Sequence, residues 1–368
     1  MTDPASFVYA AQGRFHRSLI CSRTRHRVSF ALLGCWNGGF TDIDAIKAPL
    51  PQRSQIVLFL PPSGCSRYMG LLLDGLAQET GVAMLAVDRP GTGAVPMVDG
   101  RKRMATSTDN VTSVLEALGV SQVHILTHSA GWFYALELMR KIPHLVSNSS
   151  RIVFSSPFVP THLSSSTLSL LPASVVRLAP AANNLLNSCG KALTWSAGVR
   201  DQIGLPKLGS SSSSAEQSAS NNAAKRAASK ARNPHAKFHP PYAPTLPDER
   251  LNLILKYFNE EDGVTAAVQD FLFCLGKAPH ASSQQLEIWM EERLGLLANA
   301  GSVVIIWGDD DFMTPQKGRS HLKTAMDKRD VSLKEWVMAQ AGHDETTASL
   351  EVMREVFQQL GGENNVVI

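Results

Sequence analysis

The sequence predicts an α/β domain built on a mostly parallel central sheet, and three features of the chain carry that prediction. Apolar runs of strand length alternate with amphipathic stretches of helix length from about residue 15 to 155. The runs IVLFL (56–60), VAMLAV (82–87) and VVIIW (303–307) are apolar throughout, the pattern of strands covered on both faces. The alternation stops near residue 157, gives way to helical and low-complexity sequence, and resumes at 303.

Taken in order, residues 17–21 and 28–33 are short apolar-rich runs around a charged turn, which predicts a hairpin. The strand at 56–60 is followed by a helix over 68–79, with apolar residues at Met69, Leu72, Leu73 and Leu76. A strand at 82–87, a helix at 108–118, a strand at 123–126 (VHIL), a helix at 132–140 and a strand from 152 continue the pattern. After the interruption come strands at 303–307 and 333–338 and an amphipathic helix at about 346–360. Alternation at this spacing gives parallel strands with helices on both faces. The expected organisation is a core from residues 1–156 and 296–368, with a helical insertion, 157–295, after the sixth strand.

Within the insertion, residues 209–237 are rich in Ser, Ala and Asn, with five consecutive serines at 210–214 and a basic second half. Such a segment offers little apolar surface to offset its ordering entropy, so it is expected to be a disordered, solvated loop. A docking tether for acidic partners, or a kinase site at Ser229, is the functional alternative.

Composition limits the function classes. The 368 residues carry 35 Lys+Arg against 32 Asp+Glu, a formal net charge of +3, with 44% hydrophobic and 18% charged residues. That balance excludes a mostly disordered chain, a collagen-like repeat and a short disulfide scaffold. So small a net charge gives no reason to expect a nucleic-acid partner. No apolar stretch reaches the roughly 18 to 20 residues of a membrane-spanning helix; the window 168–186 is broken by Pro172, Arg177 and Pro180. The start of the chain lacks the three-part pattern of a secretory signal. Five arginines and one acid in residues 1–30 resemble a mitochondrial leader, a reading set aside because 28–35 looks like a strand. The five cysteines are scattered, with no metal-binding spacing, which fits a reducing compartment. The cytoplasm is the expected location and the mitochondrion the alternative.

The chemistry is concentrated at three strand ends. Ser129 lies in Thr127–His128–Ser129–Ala130–Gly131, between the VHIL strand and a helix. A nucleophile there needs a tight strand-to-helix turn with small neighbours. Gly131 meets that need, and Thr127 stands where a glycine is usual. Asp311 follows the VVIIW strand, and His343 follows the strand at 333–338. The order Ser, Asp, His is that of a serine nucleophile whose histidine base is oriented by a carboxylate. Asp309 and Asp310 compete with Asp311 for the orienting role. His128 is an alternative base, discounted because adjacent side chains usually point to opposite faces.

These motifs resemble the α/β-hydrolase superfamily, in its serine-nucleophile form with a helical cap after the sixth strand, over roughly residues 15–155 and 296–365. Asp88–Arg89–Pro90–Gly91–Thr92–Gly93 looks like the family's D-x-x-G-x-G turn, which is structural. Pro61–Pro62–Ser63–Gly64 stands where the family carries a His-Gly oxyanion loop. The resemblance implies an oxyanion hole made by the backbone N–H groups of Ser63 and Ala130, with Gly64 as the backup donor. It also implies a catalytic triad of Ser129, Asp311 and His343 acting on a small apolar ester, thioester or related acyl substrate. No metal or organic cofactor is called for. Family members that use an aspartate nucleophile, such as epoxide hydrolases, differ at Ser129. Acyl transfer through the same triad, a non-catalytic ligand-binding role and a docking scaffold are the competing expectations. Phe158, Trp195, Phe258, Phe271, Phe273 and Trp289 are candidate pocket residues.

Overall fold

The computed structural model describes residues 9, 11–36, 56–178, 215–245 and 263–361. Eight strands form one sheet: β1 (Arg17–Ile20), β2 (Arg27–Gly34), β3 (Ile56–Leu60), β4 (Ala83–Val87), β5 (Val123–His128), β6 (Arg151–Ser155), β7 (Ser302–Gly308) and β8 (Leu333–Met338). Their spatial order is β1-β2-β4-β3-β5-β6-β7-β8. β1 pairs antiparallel with β2, and β2 antiparallel with β4. Every other pairing is parallel. The carboxyl ends of β3 to β8 therefore share one edge, where open α/β sheets place their ligands.

Successive strand residues point to opposite faces, so each continuous apolar run feeds two cores. Ile56, Leu58 and Leu60 of β3 join one apolar cluster, whereas Val57 and Phe59 join the other. The first face is covered by α2 (Gly100–Ala117), α3 (Gly131–Lys141) and α7 (Gln316–Asp327). The second is covered by α1 (Leu71–Glu79) and α8 (Leu350–Gly361), through residues such as Leu73, Leu76, Val356 and Phe357. α2 begins eight residues before its expected start at 108. Its first turn, Gly100–Arg101–Lys102–Arg103, has no apolar rhythm to reveal it; the Asp99 side chain caps it by accepting from Arg101 N–H at 2.8 Å.

Between β6 and β7 the described residues are mainly helical, including α4 (Ala215–Arg232), α5 (Gly263–Cys274) and α6 (Ser283–Leu294). The segment 209–237, expected to be disordered, is corrected from residue 215 onward. Seven of the eighteen residues of α4 are alanine, the strongest helix former. Its C-terminal end also docks on the core: Arg226 pairs with Glu351, Asn233 donates to Asp309, and Lys237 pairs with Glu355. Phe238 then bridges to Met338, at the end of β8. Ser229 is buried against His239, closed to a kinase. Residues 209–214, Cys189, Trp195 and Phe258 lie outside the described residues. No described helix is long and apolar enough to cross a membrane.

α5 meets the core through a buried charge cluster as well as aromatic contacts such as Phe273 on Phe133, 5.5 Å between ring centres. Asp270 of α5 accepts from Arg103 Nε at 2.6 Å and from the Tyr134 hydroxyl, and its second oxygen lies 3.5 Å from Arg89 Nη1. Burial alone would raise the Asp270 pKa, but Arg103 and Arg89 overcome it and hold the carboxyl below its ordinary range. A depressed carboxylate stabilises the fold above its unfolded value of about 3.9, and that contribution fades as pH falls through the lower folded value. Asp270→Asn is expected to cost about 3–5 kcal/mol at pH 7, because it leaves guanidinium charge buried without its partner. The same change should flatten the loss of stability below pH ~4. Urea unfolding of the two proteins across pH measures both.

Candidate active site

β5 runs into Ser129, whose φ of 51° lies in the left-handed region that side-chain-bearing residues rarely occupy. Backbone bonds hold it there: Ser129 N–H donates to Ser155 O at 3.0 Å, and Phe158 N–H donates to Ser129 O at 3.4 Å. α3 starts at Gly131, with Ala130 as its N-cap. A Cβ at position 131 would collide with the carbonyl oxygens of Leu60 and Pro61, so glycine is required there by the close passage of the end of β3. The Thr127 side chain fits in place of the usual glycine, with its Oγ1 buried and unpartnered among the described residues.

His343 and Asp311 meet across the ends of β8 and β7. His343 Nδ1 lies 2.8 Å from Asp311 Oδ2. The other Asp311 oxygen accepts from the N–H groups of Met313 and Thr314 at 2.8 and 3.1 Å. Asp311 and His343 are 3% and 2% exposed. Burial would raise the Asp311 pKa, yet His343 and these hydrogen bonds lower it. Burial likewise opposes charge on His343, but the Asp311 carboxylate outweighs it and the imidazole pKa is raised. The two competing acids are engaged elsewhere or exposed: Asp309 accepts from Asn233 Nδ2 and Gln340 N–H, while Asp310 is exposed. A hydroxyl chain sets the His343 loop against β6. Thr346 Oγ1 donates to His343 O at 3.0 Å and accepts from Ser155 Oγ at 2.7 Å.

His343 Nε2 is buried without a hydrogen-bond partner among the described residues. A serine–base bond is often long until substrate binds. The ring beside it belongs to His128, 5.2 Å between ring centres. The ring does not point away from the candidate site, but both its nitrogens face other oxygens, Ser155 O at 3.2 Å and Asp344 Oδ1 at 3.0 Å.

The loop after β3 supplies the candidate oxyanion donors. Ala130 precedes the first helical turn, so its N–H has no intrahelical acceptor. The backup donor, Gly64 N–H, faces Asp270 Oδ2 at 3.4 Å. Arg89, in a turn expected to carry no chemistry, donates from Nη2 to Pro62 O. The Pro62–Ser63 peptide is planar, so fixing that oxygen fixes the opposite direction of Ser63 N–H. Sequence reasoning missed this contact; the only signal there was a charged residue inside a turn motif, and its burial to 1% exposure shows only in the structure. Cys65, in the same loop, is no competing nucleophile, since desolvation pushes its thiol up to about 12. Beside Ala130 a cleft of about 310 Å3 opens toward Phe133, Tyr134, Phe273 and Trp289.

No family model matches the sequence, and no curated protein matches it. Solved structures do. An α/β hydrolase, MGS-M2, from a Medee basin deep-sea metagenome library is 12% identical, with a TM-score of 0.53 over 93% of this chain and 95% of that one. An epoxide hydrolase from Vigna radiata is 16% identical, with a TM-score of 0.52 over the same shares. A meta-cleavage product hydrolase from Pseudomonas fluorescens is 13% identical, with a TM-score of 0.52 over 95% of this chain and 97% of that one. The chain has the α/β-hydrolase fold.

Two substitutions probe this geometry. Gly131→Ala should destabilise by about 1–3 kcal/mol, read by urea unfolding, because backbone must shift to admit the methyl group. Arg89→Lys keeps a positive charge near Asp270 but loses the planar fork. It should lower kcat on an active ester by up to about 100-fold while changing KM little, with the melting temperature as control.

Proposed function

We propose that this chain is a serine hydrolase that cleaves a small, fairly apolar ester, thioester or related acyl compound through an acyl-enzyme. The observation that carries this reading is the buried His343–Asp311 pair, bonded through Nδ1, with Nε2 unpartnered among the described residues and the ring against His128, the residue before Ser129. The Asp311 bond selects the tautomer whose Nε2 lone pair accepts a proton. In the first step His343 Nε2 takes the Ser129 hydroxyl proton as Oγ attacks the acyl carbon. The N–H groups of Ser63 and Ala130 receive the oxyanion, and His343 passes its proton to the departing alcohol or thiol. Water then repeats the sequence, giving its proton to His343 and releasing the acid with Ser129 restored. The lowered pKa of Asp311 suits a carboxylate that stays ionised while the imidazolium forms.

Residues 157–295 act in this reading as a cap. Phe273 and Trp289 give the cleft beside Ala130, which Arg103, Glu137, Asp270 and Arg293 also line, one apolar wall for an acyl or leaving group. The fold shared with solved hydrolases is consistent with hydrolytic chemistry. The residue types at Ser129, Asp311 and His343 support an acyl-transfer route to hydrolysis.

A fluorophosphonate probe followed by peptide mapping tests the reading. Wild type is expected to be labelled at Ser129, and folded Ser129→Ala to remain unlabelled. Asp311→Asn should slow ester turnover by roughly 10⁴-fold, because the histidine loses the acceptor that fixes its tautomer. Folded wild type that resists the probe, or labelling that persists in Ser129→Ala, overturns the proposal.

A further inference from the structure

His128, His343 and Asp344 bring three metal-ligating atoms within 4.8 Å of one another at the buried carboxyl edge of the sheet. The two histidines are 1% and 2% exposed, and the Asp344 side chain 24%. His128 Nε2 lies 3.0 Å from Asp344 Oδ1. The Nε2 atom of His343 is the buried nitrogen without a partner among the described residues. Sequence spacing hides the group, because His128 ends β5 while His343 and Asp344 follow β8.

The outer nitrogens of both rings are already held. His128 Nδ1 faces Ser155 O at 3.2 Å, and His343 Nδ1 faces Asp311 Oδ2 at 2.8 Å. A metal-bound histidine usually donates its second N–H to a backbone carbonyl or a carboxylate, which fixes the tautomer and turns the other nitrogen toward the ion. Here one ring has each kind of acceptor, so both present Nε2 as the ligand atom. Two imidazoles and a carboxylate suit zinc, which takes three protein ligands and leaves a fourth position for water.

We propose that His128 Nε2, His343 Nε2 and Asp344 form a site for a divalent transition ion, zinc above all, and that its occupancy switches the proposed hydrolase off. Zn–N bonds of about 2.0–2.1 Å place neighbouring ligand atoms about 3.3 Å apart, so no pair need close by more than roughly 1.5 Å. The Asp344 side chain, 24% exposed, is the one of the three that borders solvent and would make much of that movement. Coordination displaces the proton shared between His128 and Asp344 to solvent and takes the His343 lone pair that would accept the Ser129 proton. The inhibitory half rests on reading His343 as the base; the binding half does not.

The test uses the full chain stripped with a chelator and zinc chloride as the probe. Calorimetry should show one equivalent bound in wild type, with affinity reduced at least 10-fold in His128→Asn and in Asp344→Asn. Asp344 is the least buried of the three ligands, so its variant is the one expected to disturb the melting temperature least. Asp311→Asn, which keeps all three ligands and alters only their support, should weaken binding by about 10- to 100-fold. Zinc should slow probe labelling of wild-type Ser129 at least 10-fold, with EDTA restoring it. Absence of saturable binding to folded wild type, or binding unchanged in folded His128→Asn and Asp344→Asn, overturns the site. Zinc bound through these residues to a protein that never labels at Ser129 supports the site and overturns the hydrolase reading. Labelling that ignores bound zinc overturns the switch.

Discussion

The left-handed backbone at Ser129 is the constraint on which the carboxyl edge of the sheet depends. A residue with a side chain held at a positive φ costs of order 1–3 kcal/mol and persists only where its surroundings over-determine it. Here β5 and β6 fix it through Ser155, Phe158 ties its carbonyl, and Gly131 lets the end of β3 pass beneath α3. The turn ends β5, leaves the Ala130 N–H at the helix start and adjoins His128, whose ring packs beside His343. Candidate nucleophile, candidate oxyanion donor and candidate metal ligand thus come from three consecutive residues around one positive φ.

The second constraint is buried charge. Asp270 reaches from α5 into a core that already holds Arg89 and Arg103, and the three settle one another's desolvation only with the insertion docked. Arg89 also orients the Pro62–Ser63 peptide, and Gly64 N–H faces Asp270. The position of the insertion is therefore coupled to the loop after β3. A substrate that displaces α5 would disturb the same arginine that aims the Ser63 N–H.

Much of the core was legible because its signals are local. IVLFL, VHIL and VVIIW announce themselves as nearly continuous apolar runs, LKEWVM at 333–338 is a shorter mixed strand, and Ser129, Asp311 and His343 are each found by standing just past one of them. What was missed depends on distance or on broken regularity. The helix within 215–237 is anchored by Glu351, Asp309 and Glu355, more than 70 residues away along the chain in every case. Arg89 was hidden in a turn whose glycines explain its shape but not its side chain. The place of the His128 ring beside His343 was not readable from strand alternation. The choice among Asp309, Asp310 and Asp311 lay beyond the sequence; only the latter lies within hydrogen-bond reach of His343 among the described residues.

The central claim is that Ser129 carries the acyl group during turnover. Acid-quenching the protein while it turns over p-nitrophenyl butyrate, then measuring intact mass and mapping the adduct, examines that claim directly. The account predicts a butyryl group on the Ser129 peptide, accompanied by a burst of p-nitrophenol no larger than one equivalent per chain. Steady turnover with no adduct, and at an undiminished rate in Ser129→Ala, would contradict it.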